Sequence, residues 1–143
     1  MMTDMVRAIK GVASTGAVAL LVGCGGSGQK AESGIHIIRS ASEYTRTIES
    51  AGDKLLVIDL YADWCGPCRM LAPTLEELSA TYKGRVDFYK VNTDNNPEIA
   101  RVFNVNGIPH IAFMRKKNHI NSLVGLNPKE AYVEAIEKAL ALP

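Results

Sequence analysis

The chain has 143 residues, 47% of them apolar and 22% charged, which fits one domain of ordinary globular composition and excludes wholesale disorder. Sixteen Lys and Arg against fifteen Asp and Glu leave a net charge of +1, without the basic excess of a nucleic-acid binder. Three cysteines are too few for a disulfide-stapled mini-protein, and no apolar run reaches the roughly 18–20 residues that span a bilayer.

Arg7 and Lys10 precede a weakly hydrophobic stretch, Gly11 to Val22. A positive segment followed by a short apolar one is the pattern of a secretory signal peptide, and it is too short for an ordinary transmembrane helix. The stretch ends in Leu21-Val22-Gly23-Cys24, which resembles a bacterial lipobox. Such a box needs a thiol, because sulfur accepts the diacylglyceryl group. Small residues before it let the peptidase approach the backbone. The resemblance implies that residues 1–23 are a signal peptide and that the mature chain begins at a lipidated Cys24. It also accounts for the odd cysteine count. Each buried CH₂ contributes about 0.8 kcal/mol, so two or three acyl chains anchor firmly. Residues 24–34 hold nothing that packs a core and read as a flexible tether. Gly25, not Asp, follows Cys24, and among lipoproteins of bacteria with two membranes this implies the outer membrane. The expected location is the bacterial periplasm or cell envelope, lipid-anchored.

The folded part reads from Ile35 to Pro143. Ile35 to Ile38 is a short strand. Ser40-Ala41-Ser42-Glu43 matches a capping box and opens a helix to about Ser50, ended by Gly52-Asp53. Leu55 to Tyr61 is nearly continuously apolar, as a strand buried on both faces should be. A helix is predicted from Cys65 to about Tyr82, with Leu71, Leu75 and Leu78 at helical spacing and a kink at Pro73. Val86 to Val91 is the next strand. Asn96-Pro97 starts a short helix to Phe103, with Pro at the first helical position. His110 to Met114 is a strand, Lys116-Lys117-Asn118 a turn, and Ile120 to Val124 the antiparallel return. Asn127-Pro128-Lys129-Glu130 caps a last helix, in which Tyr132, Val133, Ile136 and Leu140 share one face. Strands alternating with helices in the order βαβαβαββα argue an α/β sandwich with a mixed central sheet and one domain, residues 35–143.

A buried strand feeds directly into Trp64-Cys65-Gly66-Pro67-Cys68, which opens a helix. Residues i and i+3 of a first helical turn bring two Cα atoms within disulfide range. The first cysteine meets unsatisfied backbone N–H groups and the positive end of the helix dipole, which favours its thiolate. The second lies one turn in and is expected to be less exposed. Pro67 suits the first turn and stiffens the small ring. Other uses of the motif fit less well. Zinc would need a second pair, and His36, His110 and His119 lack ligand spacing. Attached c-type haem needs a His where Arg69 stands. A purely structural disulfide would not need a four-residue ring at a helix start.

The segment from Ile58 through Asp59, Trp64, Cys65 and Cys68 to Arg69 resembles the active-site segment of the thioredoxin family. The similarity continues through Pro73, Lys90-Val91-Asn92, Asn96-Pro97, Gly107-Ile108-Pro109 and Val124-Gly125, and covers about residues 35–142. The segment between Cys68 and Pro109 is too short for the helical insertion of bacterial disulfide oxidases. The resemblance implies a thioredoxin fold, with a mixed sheet of about five strands flanked by about four helices. It implies that Cys65 attacks and Cys68 resolves the mixed disulfide. Asp59, a carboxyl in an apolar strand, should have a raised pKa and shuttle a proton to or from Cys68. A second reading, compatible with the first, is a buried Asp satisfied by Lys90 on the neighbouring strand. Pro109 would be a cis proline facing the disulfide, and Ile108 would offer backbone groups to an extended client. Trp64, Gly66, Pro67 and Gly125 complete the client-binding flank. His110 stands where the family commonly carries Thr, and its imidazole could tune the thiolate or be a satisfied strand residue. Asp63 would slightly oppose thiolate formation.

The expected function is a thiol–disulfide oxidoreductase without bound cofactor or metal. The Gly66-Pro67 dipeptide resembles that of reductants, so reduction of disulfides in exported proteins is favoured. Periplasms are oxidising, so a membrane thiol donor must supply electrons. A monomer is expected. The alternatives are an oxidant or isomerase on the same fold, and a non-catalytic module that grips clients around Trp64, Ile108 and Gly125.

Overall fold

A computed structural model of the protein describes residues 34–143. The predicted signal peptide, the lipobox Cys24 and all but the last residue of the predicted tether lie outside the described residues. The elements are β1 (Ile35–Ile38), α1 (Ala41–Ser50), β2 (Leu55–Tyr61), α2 (Gly66–Thr81), β3 (Val86–Asn92), α3 (Pro97–Val102), β4 (His110–Arg115), β5 (Asn118–Val124) and α4 (Lys129–Ala141). The strand order is β1-β3-β2-β4-β5. The first three strands are parallel, β4 runs antiparallel to β2, and β5 antiparallel to β4. This is the five-stranded mixed sheet flanked by four helices that the resemblance implied.

Strand β2 sits at the centre because its side chains are apolar on both faces. The two-residue period divides them. Leu55 and Val57 meet Leu71, Leu75 and Leu78 of α2 and Tyr132 and Ile136 of α4. Leu56, Ile58 and Leu60 meet Ile48 of α1, Ile99 of α3 and Phe103. Asp59 shares the parity of Val57, so its carboxyl enters the α2/α4 side of the sandwich. Each fully buried aliphatic side chain contributes about 1.5–3 kcal/mol relative to exposure. Two apolar layers thus fix the rigid frame on which the carboxyl end of β2 delivers the cysteine motif.

Local signals were mostly obeyed. The Glu43 N–H donates to Ser40 Oγ at 3.2 Å, while the return bond to Glu43 Oε2 comes from the Arg39 N–H at 2.8 Å, one residue before the cap. Pro97 occupies the first turn of α3 as predicted. Helix α2 continues through Pro73 to Thr81. Two expectations fail. Asn127 does not cap α4, because its amide turns back to donate to the carbonyls of Val124 and Gly125, the groups left over where β5 ends. Pro128 takes the cap position. Strand β5 begins at Asn118 rather than Ile120, because Lys116 and Lys117 both adopt positive φ (52° and 65°) and close a two-residue hairpin. That turn normally announces itself with Asn-Gly, where this hairpin has Lys116-Lys117.

No helix among the described residues is long and apolar enough to cross a membrane. Gly34 lies beside Ser79, where an added Cβ would stand 3.5 Å from the hydroxyl oxygen. Ser79 is near the last turn of α2 and Cys65 precedes its first. The chain therefore enters the sheet at the end of the domain opposite the cysteines.

Candidate active site

Cys65 occupies the cap position of α2 and Cys68 its first turn. They form a disulfide with Cα atoms 5.3 Å apart. The Cys68 backbone N–H donates to Cys65 Sγ at 3.2 Å. A negative charge on that sulfur would meet this N–H and the positive end of the helix. Both cysteines are buried, Cys65 at 3% exposure and Cys68 at 6%, with Ala62 beside them and Tyr61 and Ile108 packed against them. Cys65 is therefore not the more exposed of the two, contrary to expectation: Ile108 and Tyr61 close over the oxidised ring.

Asp59 is 8% exposed, and its Oδ1 is buried without a hydrogen-bond partner. Burial pushes its pKa up to about 7, and the charge of Lys90 only partly opposes this. Lys90 is the register partner of Asp59 on β3, but its ammonium lies 4.3 Å from the centre of the Tyr61 ring. The reading of Asp59 as a carboxylate satisfied by Lys90 is thus overturned. A lysine stem leaving β3 beside β2 finds the aromatic face of Tyr61, and that cation–π contact holds it there. Asp59, Lys90 and Cys68 line one cleft of about 240 Å³, with Tyr61, Asp63 and Arg69 at its sides. The Asp59 carboxyl and Cys68 thus share one cleft.

Around the motif, Trp64 is 68% exposed and is no core residue. Its indole N–H donates to Asp94 Oδ2 at 2.9 Å. Asp63 Oδ2 accepts from the Asn92 amide at 3.0 Å, and the Asp63 carbonyl accepts from Arg69 Nη1 at 2.8 Å. The Ile108–Pro109 peptide bond is cis, as the resemblance implied. The Pro109 carbonyl accepts from the Gly125 N–H at 2.8 Å, and Gly125 has a φ of 81°, which only glycine adopts freely. Gly107 is tight as well, since a Cβ there would stand 3.3 Å from Val124. Gly66 has open space around it and Pro67 is exposed in the first helical turn. No group of three or more His, Cys, Asp or Glu among the described residues could hold a metal ion.

The sequence model of the thioredoxin family matches residues 36–138. The chain belongs to the thioredoxin family. It is 42% identical over 93 residues to thioredoxin-T of Drosophila melanogaster, covering 65% of this chain and 59% of that protein. It is 32% identical over 116 residues to the chloroplast M-type thioredoxin of Spinacia oleracea, covering 73% of this chain and 64% of that one. The chain thus spans about three fifths of the length of these curated relatives. Among solved structures, the thioredoxin of Fasciola hepatica superimposes with a TM-score of 0.69 at 30% identity, covering 73% of this chain and 98% of that one.

Within this thioredoxin domain the structure brings together Cys65, Cys68, Asp59, Lys90 and Ile108, as the sequence suggested. It does not bring His110 to the thiols. His110 opposes Leu60, while Asp59 opposes Ile111. The imidazole therefore lies on the α1/α3 face, and its Nε2 meets Ser122 Oγ at 2.7 Å. Tuning of the thiolate by His110 is overturned by this strand alternation. Sequence reasoning also missed the Asp94 support of Trp64, the Asn92 support of Asp63 and the ring of Tyr61 beneath Lys90. Asn92 carried a signal, since it belongs to the Lys90-Val91-Asn92 stretch that entered the resemblance, and Asp94 lies two residues beyond it.

The raised pKa of Asp59 has a stability consequence with a definite sign. The folded state keeps a proton that the unfolded chain releases near the ordinary carboxyl value of 3.8. The associated stability is present below that pH and is lost as pH rises through about 7. Asp59→Asn should therefore make the oxidised protein more stable above neutrality, by up to about 4 kcal/mol, and by much less at acid pH. Urea unfolding of both proteins across this range measures the difference, and a pH-independent difference would contradict the assignment.

Proposed function

We propose that this protein is a thiol–disulfide oxidoreductase that reduces disulfides of exported proteins from a lipid anchor in the bacterial cell envelope. The observation that carries the exchange chemistry is the Cys65–Cys68 disulfide at the start of α2, with a carboxyl titrating near neutrality in the same cleft. In the reduced pair, the Cys65 thiolate attacks one sulfur of a client disulfide. The Cys65–client bond forms and the other client sulfur leaves as a thiolate, which takes up a proton. Cys68 then gives its proton to the Asp59 carboxylate and attacks Cys65 Sγ. The Cys65–Cys68 disulfide forms and the second client thiolate departs. Two electrons pass from the protein pair to the client.

The Gly66-Pro67 dipeptide supports the reducing direction, and a membrane thiol donor would return the pair to the reduced state. The client would lie across Trp64, Ile108 and Gly125, with the Ile108 backbone pairing to its extended segment. Lipidation at Cys24 fits the position of Gly34, because a tether entering at the far end leaves the cysteine end facing away from the bilayer. The protein would act there as a monomer.

Two experiments test this reading. Cys68→Ser should accumulate a mixed disulfide between Cys65 and its clients, because nothing resolves it, whereas Cys65→Ser should trap none. Clients held equally by both variants without a covalent link would instead indicate a binding module. Separately, the wild-type chain should partition with membranes after export and Cys24→Ala should not. Equal partitioning would remove the lipid anchor.

A further inference from the structure

Trp64 is 68% exposed, so packing does little to fix its ring. What fixes it is polar and converges on Asn92, the last residue of β3. Asn92 is 8% exposed, and both ends of its amide are met. Its Oδ1 accepts from the Asp94 N–H at 2.9 Å, and its Nδ2 donates to Asp63 Oδ2 at 3.0 Å. Asp94 Oδ2 in turn accepts the Trp64 indole N–H at 2.9 Å. Asp63 is the residue directly before Trp64. One amide therefore holds Trp64 twice, at its ring through Asp94 and at its backbone through Asp63.

The chemistry admits one orientation of that amide. Turned over, its oxygen would face the Asp63 carboxylate and its NH₂ group the Asp94 N–H, two repulsive pairs in place of two bonds. Backbone bonds tie the same loops at other points. The Thr93 N–H donates to the Tyr61 carbonyl at 2.8 Å, and the Asn96 N–H to the Asn92 carbonyl at 3.1 Å. Those bonds set the path of the chain. They leave the Asp63 carboxylate and the Asp94 N–H to the Asn92 side chain. A buried amide that loses either partner is left with an unmet polar atom, which keeps the grip closed.

The hold on Trp64 matters differently for different disulfides. A small disulfide needs only to reach the Cys65 sulfur. An extended polypeptide must also settle on the flank beside it, and a tryptophan already held in place loses less freedom when that happens. We propose that Asn92 is a positioning residue that holds Trp64 ready for polypeptide clients, and so favours polypeptide disulfides over small ones. The proposal rests on the exchange function above and on client docking at Trp64.

The test uses the purified full chain, Asn92→Leu and Asn92→Asp, each with Trp64 present and in the Trp64→Ala background. Leucine removes both bonds. Aspartate keeps the size of the side chain and the acceptor for Asp94 but turns a carboxylate towards Asp63, and it serves where leucine is not tolerated by the fold. The reduced proteins are given a disulfide-bonded peptide or oxidised glutathione, and the ratio of the two exchange rates is read. Both Asn92 variants should lower this ratio about fivefold. They should also loosen the indole in fluorescence anisotropy decay, which reports Trp64 alone because the chain holds one tryptophan. In the Trp64→Ala background neither should change the ratio further. An unchanged ratio, an indole held as firmly as in wild type, or an equal fall without Trp64 would overturn the proposal. If wild type exchanges neither disulfide, the exchange function falls instead, and the anisotropy still decides whether Asn92 holds Trp64.

Discussion

The carboxyl of Asp59 is held inside the sandwich without a hydrogen bond to Oδ1, and the other parts of the site are arranged around that cost. A buried acid in an apolar strand is expensive when charged. The strand tolerates it because the proton stays on until about neutrality. Lys90, near enough to lower the pKa, is drawn off by the Tyr61 ring and does not quench the group. The result is a carboxyl that titrates near neutrality in a cleft that Cys68 also lines. The same burial that makes the group useful reduces the stability of the fold at and above neutral pH.

The geometry separates three tasks by the alternation of strands. Side chains of one parity on β2 and β4 build the α2/α4 core and carry Asp59. Those of the other parity build the α1/α3 core and carry His110. The loops at the carboxyl end of β2 and the start of β4 then bring the cysteines, Trp64 and the Ile108–Pro109 pair to one pole. Chain entry at Gly34 uses the opposite pole. A domain built this way can be held from one end and work at the other.

Much of this was legible in the sequence. The continuous apolar run of β2, the Pro67 and Pro97 helix starts and the cysteine spacing each carry a local physical signal, and each element stands where that signal put it. What escaped depends on contacts between distant segments. The preference of Lys90 for the Tyr61 ring over the Asp59 carboxyl is settled by side-chain reach across two strands. The direction of His110 is settled by register. The turn at Lys116-Lys117 was legible but its two-residue length was not, because two lysines are not the usual residues of so tight a hairpin, and Asn127 was misjudged because β5 left carbonyls for it to satisfy.

The central claim is that the Cys65–Cys68 pair works as a reductant whose resolving thiol is served by Asp59. The reduction potential of the pair in the purified protein, equilibrated against a glutathione or thioredoxin standard, tests it most directly. We expect a value near about −270 mV, that of a reducing thioredoxin. A value of roughly −120 to −180 mV, in the range of dedicated oxidants and isomerases, would contradict it.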